Sequence, residues 1–219
     1  VAKRPQADVG AGRPRRTASS AACEAKALGD PMTAAIQWSG PVLVGGALAF
    51  GLAVVVTASR PVIATTLTPD VAALLLVSAA LLLLALPAMY AVQADATGLL
   101  GIVGHTLLAT GLLLLVMLAA TPLLHPSVNG PIGEHPLVFV LGIALTLGLL
   151  LTGIATFQAE VFPRPAALLV LGAMAGFFFV FFVAEFLPPA AGQMGTAVFG
   201  VLLAAGLSWI GVALWQRVP

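Results

Sequence analysis

Charge is what this chain lacks. Only 17 of its 219 residues are Asp, Glu, Lys or Arg, which is 8%, where a soluble domain carries about 25%. Nine basic and eight acidic side chains cannot coat a water-soluble globule of this size, so a soluble enzyme is excluded. The net charge of +1 leaves no basic footprint for nucleic acid. Cys23 is the one cysteine, which excludes an internal disulfide and a Cys-rich metal or iron–sulfur site. The sequence holds no Gly-x-Ser-x-Gly, P-loop or His-Glu-x-x-His, and Ser78 and Ser208 sit in no nucleophile motif. What is abundant is hydrocarbon, with 60% hydrophobic residues and a mean hydropathy of +1.10. These proportions point to an integral membrane protein in contact with the lipid bilayer.

Six of the nine basic residues fall in the first 31 positions: Lys3, Arg4, Arg13, Arg15, Arg16 and Lys26. That stretch is rich in Ala, Pro, Gly and Ser and has no apolar periodicity, so residues 1–37 read as a disordered basic tail. No short apolar h-region follows Arg15-Arg16, which argues against a twin-arginine export signal. The sequence opens on Val1 and its first methionine is Met32. Two beginnings are therefore open: a valine start codon, or a start at Met32 with the tail untranslated.

Residues 38–219 read as one transmembrane domain. A spanning helix needs about 20 apolar residues, because about 30 Å of hydrocarbon is crossed at about 1.5 Å per residue. Six segments free of Asp, Glu, Lys and Arg meet that length: Pro41–Ser59, Val71–Val92, Gly98–Thr121, Pro136–Phe157, Pro165–Ala184 and Met194–Trp215. None alternates in polarity as a barrel strand would. The fold class expected is all-α, a polytopic bundle of six transmembrane helices. Pro41, Pro136 and Pro165 are expected to open helices, Pro122 and the Pro188-Pro189 pair to close them, and Pro87 to kink the second span.

Loop charges set the orientation. With the N-terminus inside, the cytoplasmic side holds the six tail residues, Arg164 and Arg217, eight against the single Arg60 outside. Both termini are then cytoplasmic, in a cell (inner) membrane.

The even-numbered spans end alike, each with a glutamine as the first strongly polar residue: Gln93, Gln158 and Gln216. The odd spans carry close glycines: Gly45, Gly46 and Gly51; Gly104 and Gly111; Gly172 and Gly176. A repeated helical hairpin would place the three glutamines at one level on the cytoplasmic face, their amides reaching the last free carbonyls of each helix. Chance similarity between apolar helices is the competing account. The stretch Gly153 to Gly172, with Gln158-Ala159-Glu160-Val161-Phe162-Pro163-Arg164-Pro165, resembles a hairpin of small six-span membrane proteins of high-GC bacteria. The closing Ser208 to Trp215 is similar to their final helix. The resemblance implies a bacterial origin and this architecture, and it carries over no catalytic or binding residue.

Few residues could carry chemistry. His105 lies seven residues past Gly98, about 10 Å into the hydrocarbon, and intramembrane ionisable groups are functional candidates by default. Thr106 and the carbonyls of a Gly-rich neighbour are its expected partners. Packing, proton handling and metal or haem ligation are the alternatives. The outer loop supplies His125, Glu134 and His135, which could meet Glu185 as a zinc-type ligand set, although their spacing matches no metal motif. Phe177, Phe178, Phe179, Phe181, Phe182 and Phe186 surround span five and suggest lipid contact, while Gly172, Ala175 and Gly176 would mark its helix–helix contact. No catalytic residue, cofactor or metal is assigned. The function expected is that of a non-enzymatic structural or accessory membrane protein, with a membrane-protein partner or a second copy of the chain. The alternative is a transporter or channel for a small, weakly polar molecule.

Overall fold

The computed structural model describes residues 31–60, 67–124, 136–183, 186 and 188–216. Nearly all of them belong to the unit Ala35–Pro219. Among the described residues the fold is all-helical: α1 (Pro31–Ala58), α2 (Pro69–Leu124), α3 (Pro136–Ala159), α4 (Arg164–Val183) and α5 (Pro189–Gln216). The helices are apolar all round, with no polar stripe to face water. Four of them, α1, α2, α3 and α5, are long and apolar enough to cross a membrane, and α4 contains a shorter apolar stretch at Arg164–Phe179.

The described residues thus form five helices where six separate ones were expected. The difference lies in α2, whose 56 residues would extend about 84 Å if straight. It is not straight. Gly98 has φ 52° and ψ −140°, a backbone conformation that only glycine adopts without strain, and it interrupts the helix. Gln93 and His105 would stand about 18 Å apart along a continuous helix, yet their side-chain nitrogens are 3.3 Å apart. The helix therefore folds back at Gly98, and residues 93–97, which lie between the expected second and third spans, are helical up to the turn.

Prolines explain the other boundary differences. Pro41 lies inside α1, which begins ten residues earlier at Pro31. The bond Pro41 cannot donate would have gone to Gln37, which is exposed, so its loss is mild. Pro122 is two residues from the end of α2 and does not close it, and the non-helical residue inside α2 is Gly98. Pro189 opens α5 where a helix end was expected: the Pro188 carbonyl accepts from the amides of Ala191 and Gly192 at 2.9 and 3.2 Å. The Thr68 carbonyl starts α2 in the same way, accepting from Ala72 at 2.9 Å, with Pro69 as the first helical residue. Nearby, Arg60 pairs with Asp70 and Thr68, and Gln193 donates to the Arg60 carbonyl at 3.2 Å. At the other end of the bundle Glu160 takes a positive φ of 53° beyond α3, and its carboxylate pairs with Arg164 in an exposed ion pair.

Small residues bring the helices together. The returning half of α2 runs antiparallel to α3 with an even register: a Cβ built on Gly104 would lie 2.8 Å from Thr152 N, one on Gly111 2.9 Å from Leu145 N, and one on Gly148 2.5 Å from Leu108 N. Likewise α1 crosses α5, where a Cβ on Gly40 would lie 2.6 Å from Gly211 O and one on Gly51 2.8 Å from Ala204 Cβ. The first half of α2 meets α1 through Gly46 and Leu82, and Ser78 Oγ donates to the Gly46 carbonyl at 2.9 Å. Gly153 against Leu171 joins α3 to α4, and Gly206 against Val170 joins α4 to α5. Each segment thus neighbours the next in the chain, and α1 against α5 closes the circle. Of the residues expected to mark the α4 contact, Gly176 approaches Phe199, whereas Gly172 has nothing near it and Ala175 is exposed. Val170 and the Ala166 carbonyl also meet Gly206 there, and Ala166, Val170 and Ala173 are buried. Phe177, Phe178, Phe179 and Phe186 are exposed, in keeping with lipid contact.

The Gly98 and Gly148 positions separate two kinds of constraint. A Cβ on Gly98 meets nothing within 4 Å, so Gly98→Ala is expected to cost about 1–3 kcal/mol through backbone strain alone. Gly148→Ala, with an allowed backbone but no space, should also lower the unfolding temperature in detergent. Gly142→Ala, which meets nothing, should leave that temperature unchanged or raise it by removing helix-interior glycine.

Candidate functional site

The reversal at Gly98 makes side chains on its two flanks into neighbours. Tyr90 and Gln93 come from the first half of α2, and Gly101 and His105 from the second. The missing Cβ of Gly104 admits α3 against this hairpin and brings Thr152 and Thr156, one turn apart, to the same place. Gln93 is 0% exposed, Thr156 1% and His105 6%. A polar cluster is therefore enclosed on three sides by apolar helices.

Chemistry fixes the direction of its hydrogen bonds. A backbone carbonyl only accepts, so His105 Nδ1–H donates to Gly101 O at 2.8 Å. In the neutral ring Nε2 is then an acceptor, and the Gln93 amide NH2 donates to it across 3.3 Å. That leaves Gln93 Oε1 to accept from the Thr156 hydroxyl at 3.1 Å. The chain runs one way, Thr156 to Gln93 to His105 to Gly101. Tyr90 stacks edge-on against the imidazole, with centroids 5.2 Å apart and planes at 61°. Thr97 Oγ1 donates to the Gln93 carbonyl at 2.9 Å and secures the last turn before Gly98.

Behind this cluster lies an interior cavity of about 50 Å³ that takes wall residues from every segment, among them Leu43, Leu82, Leu108, Leu149, Val170 and Leu207. Thr152 and Thr156 are on its wall, but the surface presented is hydrocarbon. Thr152 Oγ1 is buried without a hydrogen-bond partner. Water needs two to four polar partners to occupy such a space, and this wall offers almost none.

Several expectations change here. Thr106 was an expected partner of His105, but its hydroxyl is exposed and donates to the Ile102 carbonyl at 2.8 Å. The glycine carbonyl that does serve belongs to the histidine's own helix, not to a neighbour. Gln93 is the larger correction. Expected at the membrane surface beside Gln158 and Gln216, it is fully buried, while those two are exposed. Its amide is taken by His105 and Thr156, so it does not serve free carbonyls at a helix end. The sequence did carry a signal: Gln93 and His105 flank Gly98 at offsets of five and seven, the spacing at which a hairpin pairs them. Thr156 had none. His125, Glu134, His135 and Glu185 lie outside the described residues, as do Cys23 and residues 1–30 of the expected tail, whereas its last residues, 31–37, are helical in α1. Among the described residues no three His, Cys, Asp or Glu gather as a metal site.

No family model matches the chain, and neither a curated protein nor a solved structure matches it. The apolar helices themselves define its class, a helical membrane protein.

The one-way chain has a measurable consequence. Gln93→Leu orphans the His105 acceptor and should lower stability by about 1–2 kcal/mol. Thr156→Val orphans Gln93 Oε1 and should cost a similar amount. The double variant should cost less than the two added together, because the two losses share one hydrogen bond. Additive losses in detergent unfolding would mean that Gln93 and Thr156 do not bond.

Proposed function

We propose that the chain is a six-span, non-enzymatic structural or accessory protein of the cell membrane, with both termini in the cytoplasm. One observation carries this reading: His105, Gln93 and Thr156 are matched to one another, and the cavity between the helices is walled by hydrocarbon. A translocation path needs inward-facing polar groups free to receive a solute. Catalysis likewise needs groups that can reach a substrate, and His105 has both ring nitrogens engaged.

Six crossings follow if α2 supplies two, one on each side of Gly98, and if the 20 residues of α4 supply another, since they extend about 30 Å. The contact of Gly40 with Gly211 puts the start of α1 and the end of α5 on the same side. Trp38 and Trp215, both exposed, stand at that end as interfacial aromatics do. Arg164 belongs to the same side and Arg60 to the opposite one, which agrees with the excess of basic residues expected inside. Leu84, Leu99, Met117 and Phe139 on the outer surface face lipid.

Reconstitution tests the reading. Liposomes holding the purified protein are expected to pass protons and glycerol no faster than protein-free vesicles. A flux above that level, abolished by Leu149→Trp in the interior, would make the protein a channel or transporter instead. A reporter fused to the C-terminus should be active only in the cytoplasm, and activity confined to the outside would overturn the topology.

A further inference from the structure

We propose that His105, Gln93 and Thr156 form a proton-binding site whose hydrogen-bond chain reverses when His105 is protonated. The basis is that the same four groups can be joined donor to acceptor in two arrangements. In the neutral arrangement Thr156 donates to Gln93, Gln93 to His105 Nε2, and His105 Nδ1 to Gly101. A proton from water then forms an N–H bond with the Nε2 lone pair, and no electrons are transferred. Both ring nitrogens are now donors, and the Gln93 NH2 opposes one of them. Rotating the Gln93 amide by half a turn presents Oε1 to Nε2–H and NH2 to Thr156 Oγ1. The Thr156 hydroxyl, now an acceptor, donates in turn to the Thr152 carbonyl of its own helix. That back-bond is this chain's habitual threonine geometry: Thr57, Thr97, Thr106 and Thr110 all donate to the carbonyl four residues earlier at 2.7–2.9 Å.

Each contact in the series therefore joins a donor to an acceptor in either state, and no helix needs to move. A residue that only filled space would not require this property. Leucine in place of Gln93 would leave an added N–H unpaired, and a residue that only donates could not turn round. Glutamine followed by threonine supplies two groups that both donate and accept, in series.

Among the described residues the surroundings present no competing charge. From the first half of α2 the titratable neighbour is Tyr90, edge-on to the ring. From α3 come Thr152 and Thr156, and the residues that α1, α4 and α5 contribute to the adjoining interior, Leu43, Ala167, Val170 and Ile210, do not titrate. Asp95, two residues beyond Gln93, is exposed near the tip of the hairpin. The imidazole lies about 10 Å along the helix from that tip, close enough to the aqueous boundary for a proton to arrive without crossing the bundle.

The test is 15N NMR of the full chain in lipid nanodiscs, with the His105 signals identified by their loss in His105→Gln. His105 is expected to pass from a singly protonated Nδ1–H ring to a doubly protonated one as pH falls, while the protein stays folded. The Gln93 side-chain amide should shift with the same midpoint. Gln93→Glu, close to isosteric, should move that midpoint upward by at least about one pH unit, and Gln93→Leu should move it downward by a similar amount. The proposal fails if His105 remains Nδ1–H and neutral at every pH where the protein is folded. It fails equally if His105 titrates and the Gln93 amide does not follow. A purely structural cluster would change unfolding temperature in these variants without a coupled titration.

Discussion

Inside the hydrocarbon layer no water stands ready to take a hydrogen bond, so every polar group must find its partner within the protein. Helices follow from that constraint for the backbone, and so does the treatment of most polar side chains. Threonines facing outward bond back to their own helices, as Thr106, Thr110 and Thr121 do. Ser78 spans to the neighbouring Gly46 carbonyl. His105 and Gln93, too polar for either solution, are brought to each other by a chain reversal.

That reversal depends on one residue without a side chain. A conformation with positive φ would strain most residues, and Gly98 adopts it at the exposed tip, where nothing crowds it. The sharpness of the turn decides which residues face each other across the hairpin. Glycines then act a second time, and differently, as gaps into which a neighbouring backbone fits. Gly104, Gly111 and Gly148 alternate between two helices along one antiparallel seam, and the close approach they permit is what lets Thr156 reach Gln93. Turn and seam together therefore assemble the polar cluster.

The cluster combines two properties that are usually opposed. It is buried and joined by a continuous series of hydrogen bonds, which rigidifies the hairpin against α3. It is also built of groups that can exchange roles as donor and acceptor, which leaves it able to accept a charge. Arg60 with Asp70 and Arg164 with Glu160 show the contrast at the two ends of the bundle: those pairs are at least partly exposed, and solvent screens such surface interactions to little net worth.

Composition alone determined the solvent this protein lives in, because 17 charges cannot hydrate its surface, and the long uncharged runs determined that it is helical. Pro136 and Arg164-Pro165 marked helix starts to within a residue, since proline's missing N–H is harmless only there. His105 stood out as the ionisable residue within a span. Sequence could not decide that Pro41 lies inside a helix, because the cost of a lost bond depends on whether its acceptor, at Gln37, is exposed. Nor could it tell Gln93 from Gln158 and Gln216, three glutamines at similar ends of similar helices. Their environments differ because only one faces a returning helix and a threonine 63 positions away. Burial and partnership belong to the arrangement of helices in space, and in an apolar chain with no polar stripe the sequence carries no periodic signal of which face turns inward.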